Sequence, residues 1–251
     1  MKKTRITEKE MPYGILEKFG LTKTMIEDLP KRVQDSIHDG NPSPVLPVRV
    51  QDNNGNVTTV RARFRIARHD DGRIDVAFTP RSEEATVSNF PTEQQQDLYD
   101  GKVILADYQY PNGVTMKSYL QYDKDTNRII AAPANIINQN LNKYKSDLTL
   151  TPAEEKKLSQ GSVVTFIDDD GNTVSIGLDL RKVDGIRFCI GDEKDWKQRK
   201  EMGQYNFGAL GCWVADNDGN LNYVDSDDYD DEMNAILEER IEKKEKGSIK
   251  R

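Results

Sequence analysis

Two cysteines, two histidines and two tryptophans are all that 251 residues provide of those types. Cys189 and Cys212 cannot build a disulfide framework, and no pair of cysteines has zinc-ligand spacing. They read as small apolar side chains. His38 and His69 are too few for a histidine-rich metal site and read as solvent-exposed loop residues. The chain lacks a GxxxxGK[ST] phosphate loop, a GxGxxG turn, a GxSxG elbow and an HExxH helix. No cofactor and no metal is therefore expected, and no catalytic residue can be named. The N-terminus, MKKTRITEKEMPYG, is charged but has none of the roughly 7–15 apolar residues of a signal peptide. No apolar run approaches the length of a membrane span, so no membrane is expected and the cytoplasm is the expected compartment. A surplus of positive charge is missing as well. The net charge is -7, which excludes a surface basic all round for duplex DNA.

What is present is polar but not disordered. Hydrophobic residues make up 35% against 31% charged, and the mean hydropathy is -0.78. That supply suits several thin cores rather than one thick one. Aromatic residues, at 8%, are too frequent for a chain without a core. The charge is uneven. Residues 1–89 hold 15 Lys and Arg against 13 Asp and Glu, so the remaining residues carry -9 of the total.

Three segments repeat: LPKRVQDSIHDG (Leu29–Gly40), FPTEQQQDLYDG (Phe90–Gly101) and LTPAEEKKLSQG (Leu150–Gly161). Each opens on an apolar residue and carries a proline at or just after the helix start, Pro30, Pro91 or Pro152, where a missing N–H costs nothing. Each has an apolar anchor, Ile37, Leu98 or Leu158. Each ends in glycine, which tolerates a left-handed helix terminus. After each glycine come alternating apolar runs separated by Asn-Gly or Asp-Gly turns, a strong hairpin signal. The pattern predicts an α+β fold of three αβββ units, each an antiparallel meander with one helix. Short helices precede the first unit, with Gly20 as a C-cap and Thr22 as the next N-cap. After the third unit, DEKDWKQRKEMGQYNFG reads as a helix and GCWVADNDGNLNYV as a hairpin. A charged C-terminal helix closes the chain. The expected division is a mobile tail at 1–10, helices and first unit at 11–88, second unit at 89–149, third unit at 150–190, and the remainder at 191–251.

The stretch MPYGILEKFGLTKTMIEDLP, with SPVLPVRV after it, resembles an uncharacterised domain family of Bacteroidota. The unit of a helix, Gly101 or Gly161, and a following hairpin resembles a second uncharacterised family, often found beside the first. IRFCIGDEKDW and FGALGCWVADNDGNLNYV are also similar to those proteins. Together these resemblances span nearly the whole chain except the first ten residues and the last helix. Such families are typically encoded on conjugative elements and plasmids, and the second is found appended to type IA topoisomerase-like proteins. The resemblance implies a setting of mobile DNA and its handling. It carries no reaction and no site residue.

Three acid-rich turns, around Gly55, Gly171 and Gly219, suggest calcium loops but fail the test. An EF-hand needs an acid at its first position and Glu at its twelfth. Those positions hold Val50, Phe166 and Val214, then Arg61, Gly177 and Asp225. Hairpin chemistry explains the turns. Tyr108, Tyr110, Tyr119 and Tyr122 read as half-buried sheet tyrosines.

Two surfaces stand out. In VRARFRIAR, strand alternation puts Arg61, Arg63 and Arg65 on one face and Val60, Ala62, Phe64 and Ile66 on the other. Arg49, Arg68 and Arg73 lie near enough to join them. Either acids of the same chain answer these charges, or phosphates or an acidic protein surface do. Met233, Ile236, Leu237 and Ile241 form a narrow apolar stripe on the last helix, fit to dock on the body or on a protein partner. The leading expectation is a non-enzymatic binding or adaptor protein that meets a protein partner in DNA handling. The alternatives are direct nucleic-acid (DNA) binding through the arginine face and an enzyme whose constellation the sequence does not display.

Overall fold

Gly40, Gly101 and Gly161 each end a helix in the left-handed region, with φ of 79°, 78° and 87°. In each case the next residue's N–H returns to the helix, Asn41 to Ser36 O at 3.0 Å, Lys102 to Asp97 O at 2.9 Å and Ser162 to Lys157 O at 3.0 Å. That is the glycine-closed terminus the repeat predicts. The computed structural model of the chain describes residues 5–83, 86–145, 148, 150–198 and 202–248.

The order of elements is α1 (Tyr13–Leu16), α2 (Lys23–Glu27), α3 (Lys31–His38), β1 (Leu46–Gln51), β2 (Val57–Arg68) and β3 (Ile74–Pro80), then α4 (Thr92–Tyr99), β4 (Val103–Gln109), β5 (Thr115–Asp123), β6 (Arg128–Pro133) and α5 (Ala134–Lys145). There follow α6 (Pro152–Ser159), β7 (Val164–Ile167), β8 (Thr173–Leu178) and β9 (Ile186–Ile190), then α7 (Glu193–Lys197), β10 (Tyr205–Phe207), β11 (Gly211–Ala215), β12 (Leu221–Asp225) and α8 (Asp231–Ser248). Among the described residues the strands form four separate three-stranded antiparallel sheets, each in sequence order. The architecture is α+β and built from meanders, as the repeat implies.

One hairpin of each sheet, the first in the first three and the β11–β12 hairpin in the fourth, turns on an Asp or Asn acceptor. Asp52, Asp168 and Asp216 each accept the N–H groups two and four residues on, at 2.7 to 3.1 Å, through one carboxylate oxygen. Asn56, Asn172 and Asn220 reach back to the other oxygen. In the second sheet Asn112 does the job, accepting from Val114 N at 3.2 Å. The acids of these turns are occupied as turn acceptors.

Three expectations change. The last unit is a full meander, because the segment read as one helix from Asp192 stops at Lys197 and then makes strand β10. Pairing of Tyr205–Phe207 with Cys212–Val214 of β11 makes it a strand. A further helix, α5, follows the second sheet and buries Ile137 and Leu141. Residues 5–10, expected within a mobile tail, are tied down. Ile6 is buried, Arg5 pairs with Asp35 and Asp39, and Thr7 caps a short turn closed by Glu10. Residues 1–4 lie outside the described residues.

The chain forms two compact units, one of Met1–Thr79 with Glu201–Arg251 and one of Pro80–Lys200. The first and fourth meanders therefore share a unit, and so do the second and third. In the first unit Leu16, Leu21, Ile26 and Ile37 from the helices meet Leu46, Phe64 and Ile66 of β1 and β2 and Trp213 of β11. Each such side chain contributes about 1.5–3 kcal/mol on burial. The second unit has two thin cores. One joins Val103, Tyr119, Ile137, Leu158, Ile176 and Ile186, and the other sits under α4 around Leu98 and Leu120.

Candidate interaction edge

Among the described residues strand β9 is an outer strand of its sheet, paired only with β8. Gly191 N donates to Thr173 O at 2.8 Å and Asp179 N to Gly185 O at 2.9 Å. With alternating pairs in an antiparallel ladder, Cys189 and Arg187 then face β8 with their backbone groups. The N–H and C=O of Phe188 and Ile190 point the other way, to the open side, and no strand among the described residues meets them.

The side chains on this strand are as notable as its backbone. Ile186, Phe188 and Ile190 share one face. Ile186 is buried, Phe188 is 41% exposed and Ile190 is 82% exposed. The register sets Ile190 beside Val174 and Val174 beside Phe166, so an apolar ladder crosses all three strands. Tyr144 of α5 packs edge-on against Phe188 with centroids 5.1 Å apart. Its hydroxyl donates to Asp184 at 2.8 Å, and burial first, then that carboxylate, push its pKa up to about 12. On the opposite face α7 covers the sheet. Trp196 lies on Gly177, where an added Cβ would come within 2.7 Å of the indole, and Arg187 stacks over the same ring at 5.1 Å.

Proteins usually guard an open edge with proline, charge or brevity. Five of the other outer strands among the described residues do so. β1 has Pro47, β3 ends in Pro80 and β6 in Pro133, β4 carries Asp107, and β10 has three residues. The outward-facing residues of β9 are all apolar.

The arginines of the first unit are arranged differently from an open basic face. Arg61 donates to Leu221 O and, at 2.7 Å, to Asn222 Oδ1. Arg65 donates to Gly40 O at 3.0 Å. Arg68 pairs with Glu10 at 2.8 Å and Arg73 with Asp71 at 2.6 Å. Arg63 is only 9% exposed. Arg49 is exposed, its stem lying against Gly20. The alternation itself is as expected, with Ala62, Phe64 and Ile66 in the core. The acids that answer the arginines, Glu10 and Asp71, had no signal in strand spacing.

The C-terminal stripe is divided. Met233 is buried, Ile236 and Leu237 are half-buried, and Ile241 is 49% exposed. Tyr205 donates to Glu232 at 3.0 Å, and Arg240 donates to Tyr205 O at 2.9 Å and lies over Phe207. These contacts hold α8 on the first unit. Tyr119 is buried, with its hydroxyl donating to Ser159 O at 2.7 Å, whereas Tyr108, Tyr110 and Tyr122 are half-buried.

His38 is not a loop residue. It ends α3, is 8% exposed, and its Nδ1 donates to Ile6 O at 2.7 Å while Nε2 faces Glu8 at 3.4 Å. The crevice beside it, between Glu8, Tyr13 and Ile26, has about 10 Å³, the space of one water. His69 is exposed and bonds Asp75 at 2.8 Å. Among the described residues no group of three His, Cys, Asp or Glu is placed to hold a metal, and no helix is long and apolar enough to cross a membrane.

These features define an α+β protein of repeated meanders with an apolar outer strand, β9, that no strand among the described residues meets. Residues 6–89 match a family described as "Protein of unknown function (DUF4099)". That match spans the N-terminal helices and the first meander. No curated protein matches the chain, and no solved structure does.

Proposed function

We propose that the chain is a non-enzymatic binding or adaptor protein that meets a protein partner through the β9 edge. One observation carries this reading. The open strand presents backbone donors and acceptors beside exposed Phe188 and Ile190, the combination by which sheets add a partner strand. Main-chain bonds give such a contact its strength, and alternate side chains give it its choice of partner. The engagement of Arg61, Arg65, Arg68 and Arg73 within the chain favours a protein over DNA as the direct partner. The resemblance supplies the setting, a cytoplasmic accessory role in the DNA handling of Bacteroidota conjugative elements and plasmids.

Affinity capture from host extract, with and without nuclease treatment, tests this, with the full chain and its Ile190→Lys variant as baits. Proteins held by the wild type and lost by the variant are expected. Equal capture by both, or capture that nuclease abolishes, overturns the reading.

A further inference from the structure

We infer that the β9 edge takes a second copy of this chain, strand against strand about a two-fold axis at Phe188. The inference rests on the reading of β9 as a protein-contact edge and names its partner.

The strand is complementary to itself. An antiparallel pairing centred on Phe188 sets it opposite Phe188 of the second copy, and Ile186 opposite Ile190 of the second copy. The backbone groups that this register would bond are those of residues 186, 188 and 190, the outward set defined by the β8 pairing. All three side chains stand on one face. Apolar therefore meets apolar at every bonded pair, and Ile190, 82% exposed in the single chain, gains a neighbour. Cross-strand pairs of this kind stabilise a sheet. Two three-stranded sheets become one of six strands, and the Phe166–Val174–Ile190 ladder runs on into Ile186 and Leu178 of the second copy. A self-complementary patch of this sort is what a closed two-fold dimer requires.

The charges agree with the same register. Arg187 falls opposite Cys189 of the second copy rather than opposite another arginine. Toward the start of the strand Arg181, Lys182 and Arg187 stand against Asp179 and Asp184, a net +1, and after its end Asp192, Glu193 and Asp195 stand against Lys194 and Lys197, a net -1. Asp192 is held anionic by the N–H groups of Asp195 and Lys194, which lower its pKa. Antiparallel pairing lays the basic end of one strand along the acidic end of the other. A parallel pairing would align like with like.

Sedimentation equilibrium of the full chain over a concentration series tests this, with Ile190→Lys and, as control, Ile241→Lys. Both side chains are exposed, so neither change disturbs a core, and circular dichroism checks the fold. A wild-type dimer is expected, weakened at least about tenfold in Ile190→Lys and unchanged in Ile241→Lys. A wild type that stays monomeric throughout overturns the pairing, and so does a dimer indifferent to Ile190→Lys. If the wild type is monomeric yet Ile190→Lys still loses captured partners, self-pairing fails and the contact edge stands. If the variant changes neither association nor capture, both fall.

Discussion

Tyr223 donates its phenolic proton to Asp28 at 2.6 Å, across 195 residues of sequence. The same carboxylate accepts Ala209 N at 2.6 Å and Leu210 N at 3.2 Å, and it is 3% exposed. Trp213 adds a bond from its indole to Met25 O at 2.8 Å. Gly208 sits so close to Asp28 that a Cβ would fall 2.2 Å from the carboxyl carbon. Through this cluster the fourth meander is fastened to α2 of the same unit. Burial and then Asp28 raise the pKa of Tyr223.

Asp28→Ala is expected to cost roughly 1–3 kcal/mol, because it removes the buried acceptor of the Ala209 and Leu210 N–H groups and of the half-buried Tyr223 hydroxyl. Tyr223→Phe removes one bond and is expected to cost only about 1 kcal/mol. Urea unfolding of both variants checks this. Equal small losses would show that the carboxylate is not what fastens the fourth meander.

Gly161→Ala is expected to destabilise the second unit. The residue has φ of 87°, and an added Cβ would lie 2.1 Å from Val103 O. Left-handed strain alone costs on the order of 1–3 kcal/mol, and the clash adds to it. Gly171→Ala has the same sign of φ but open space around it. Thermal melts should therefore place Gly161→Ala well below Gly171→Ala.

Glu10 provides a pH-dependent contribution. The Thr7 N–H first, then its hydroxyl and Arg68, hold its carboxyl at about 2, below the usual 4.5. A depressed folded-state pKa means stabilisation that is present above 4.5 and lost as pH falls toward about 2. Glu10→Gln should flatten that part of the stability profile. Carboxyl chemical shifts of Glu10 should show a midpoint far below that of an ordinary glutamate, and a normal midpoint would refute the cap.

Arg63→Glu and Arg49→Glu should separate folding from binding. Arg63 is nearly buried, and a carboxylate there is expected to cost roughly 3 kcal/mol or more. Arg49 is exposed, and its reversal should stay within about 0.5 kcal/mol. Fluorescence anisotropy with labelled single- and double-stranded DNA then tests direct binding, using Arg49→Glu. Salt-sensitive binding that this variant abolishes would restore the nucleic-acid reading.

Local chemistry accounts for what could be read in advance. Helix closure at Gly40, Gly101 and Gly161, the cap at Thr22, and the turns at Gly55, Gly113, Gly171 and Gly219 involve residues within a few positions of one another. Interactions of that range are written in spacing. Alternation in β2 likewise placed Ala62, Phe64 and Ile66 in the core. By contrast β10 went unread because three residues carry too short a period. The burial of His38 and Arg63 depends on chain that is distant in sequence, Ile6 in the case of His38.

By itself the sequence determined the unit, a helix ended by glycine and strands turned by Asp or Asn, because each feature is a local conformational preference. Only the tertiary structure decided which units share a core, which arginines are occupied, and that β9 is left open. Those depend on the pairing of segments far apart in the chain, where shape and hydrogen-bond geometry choose among partners that composition leaves equivalent.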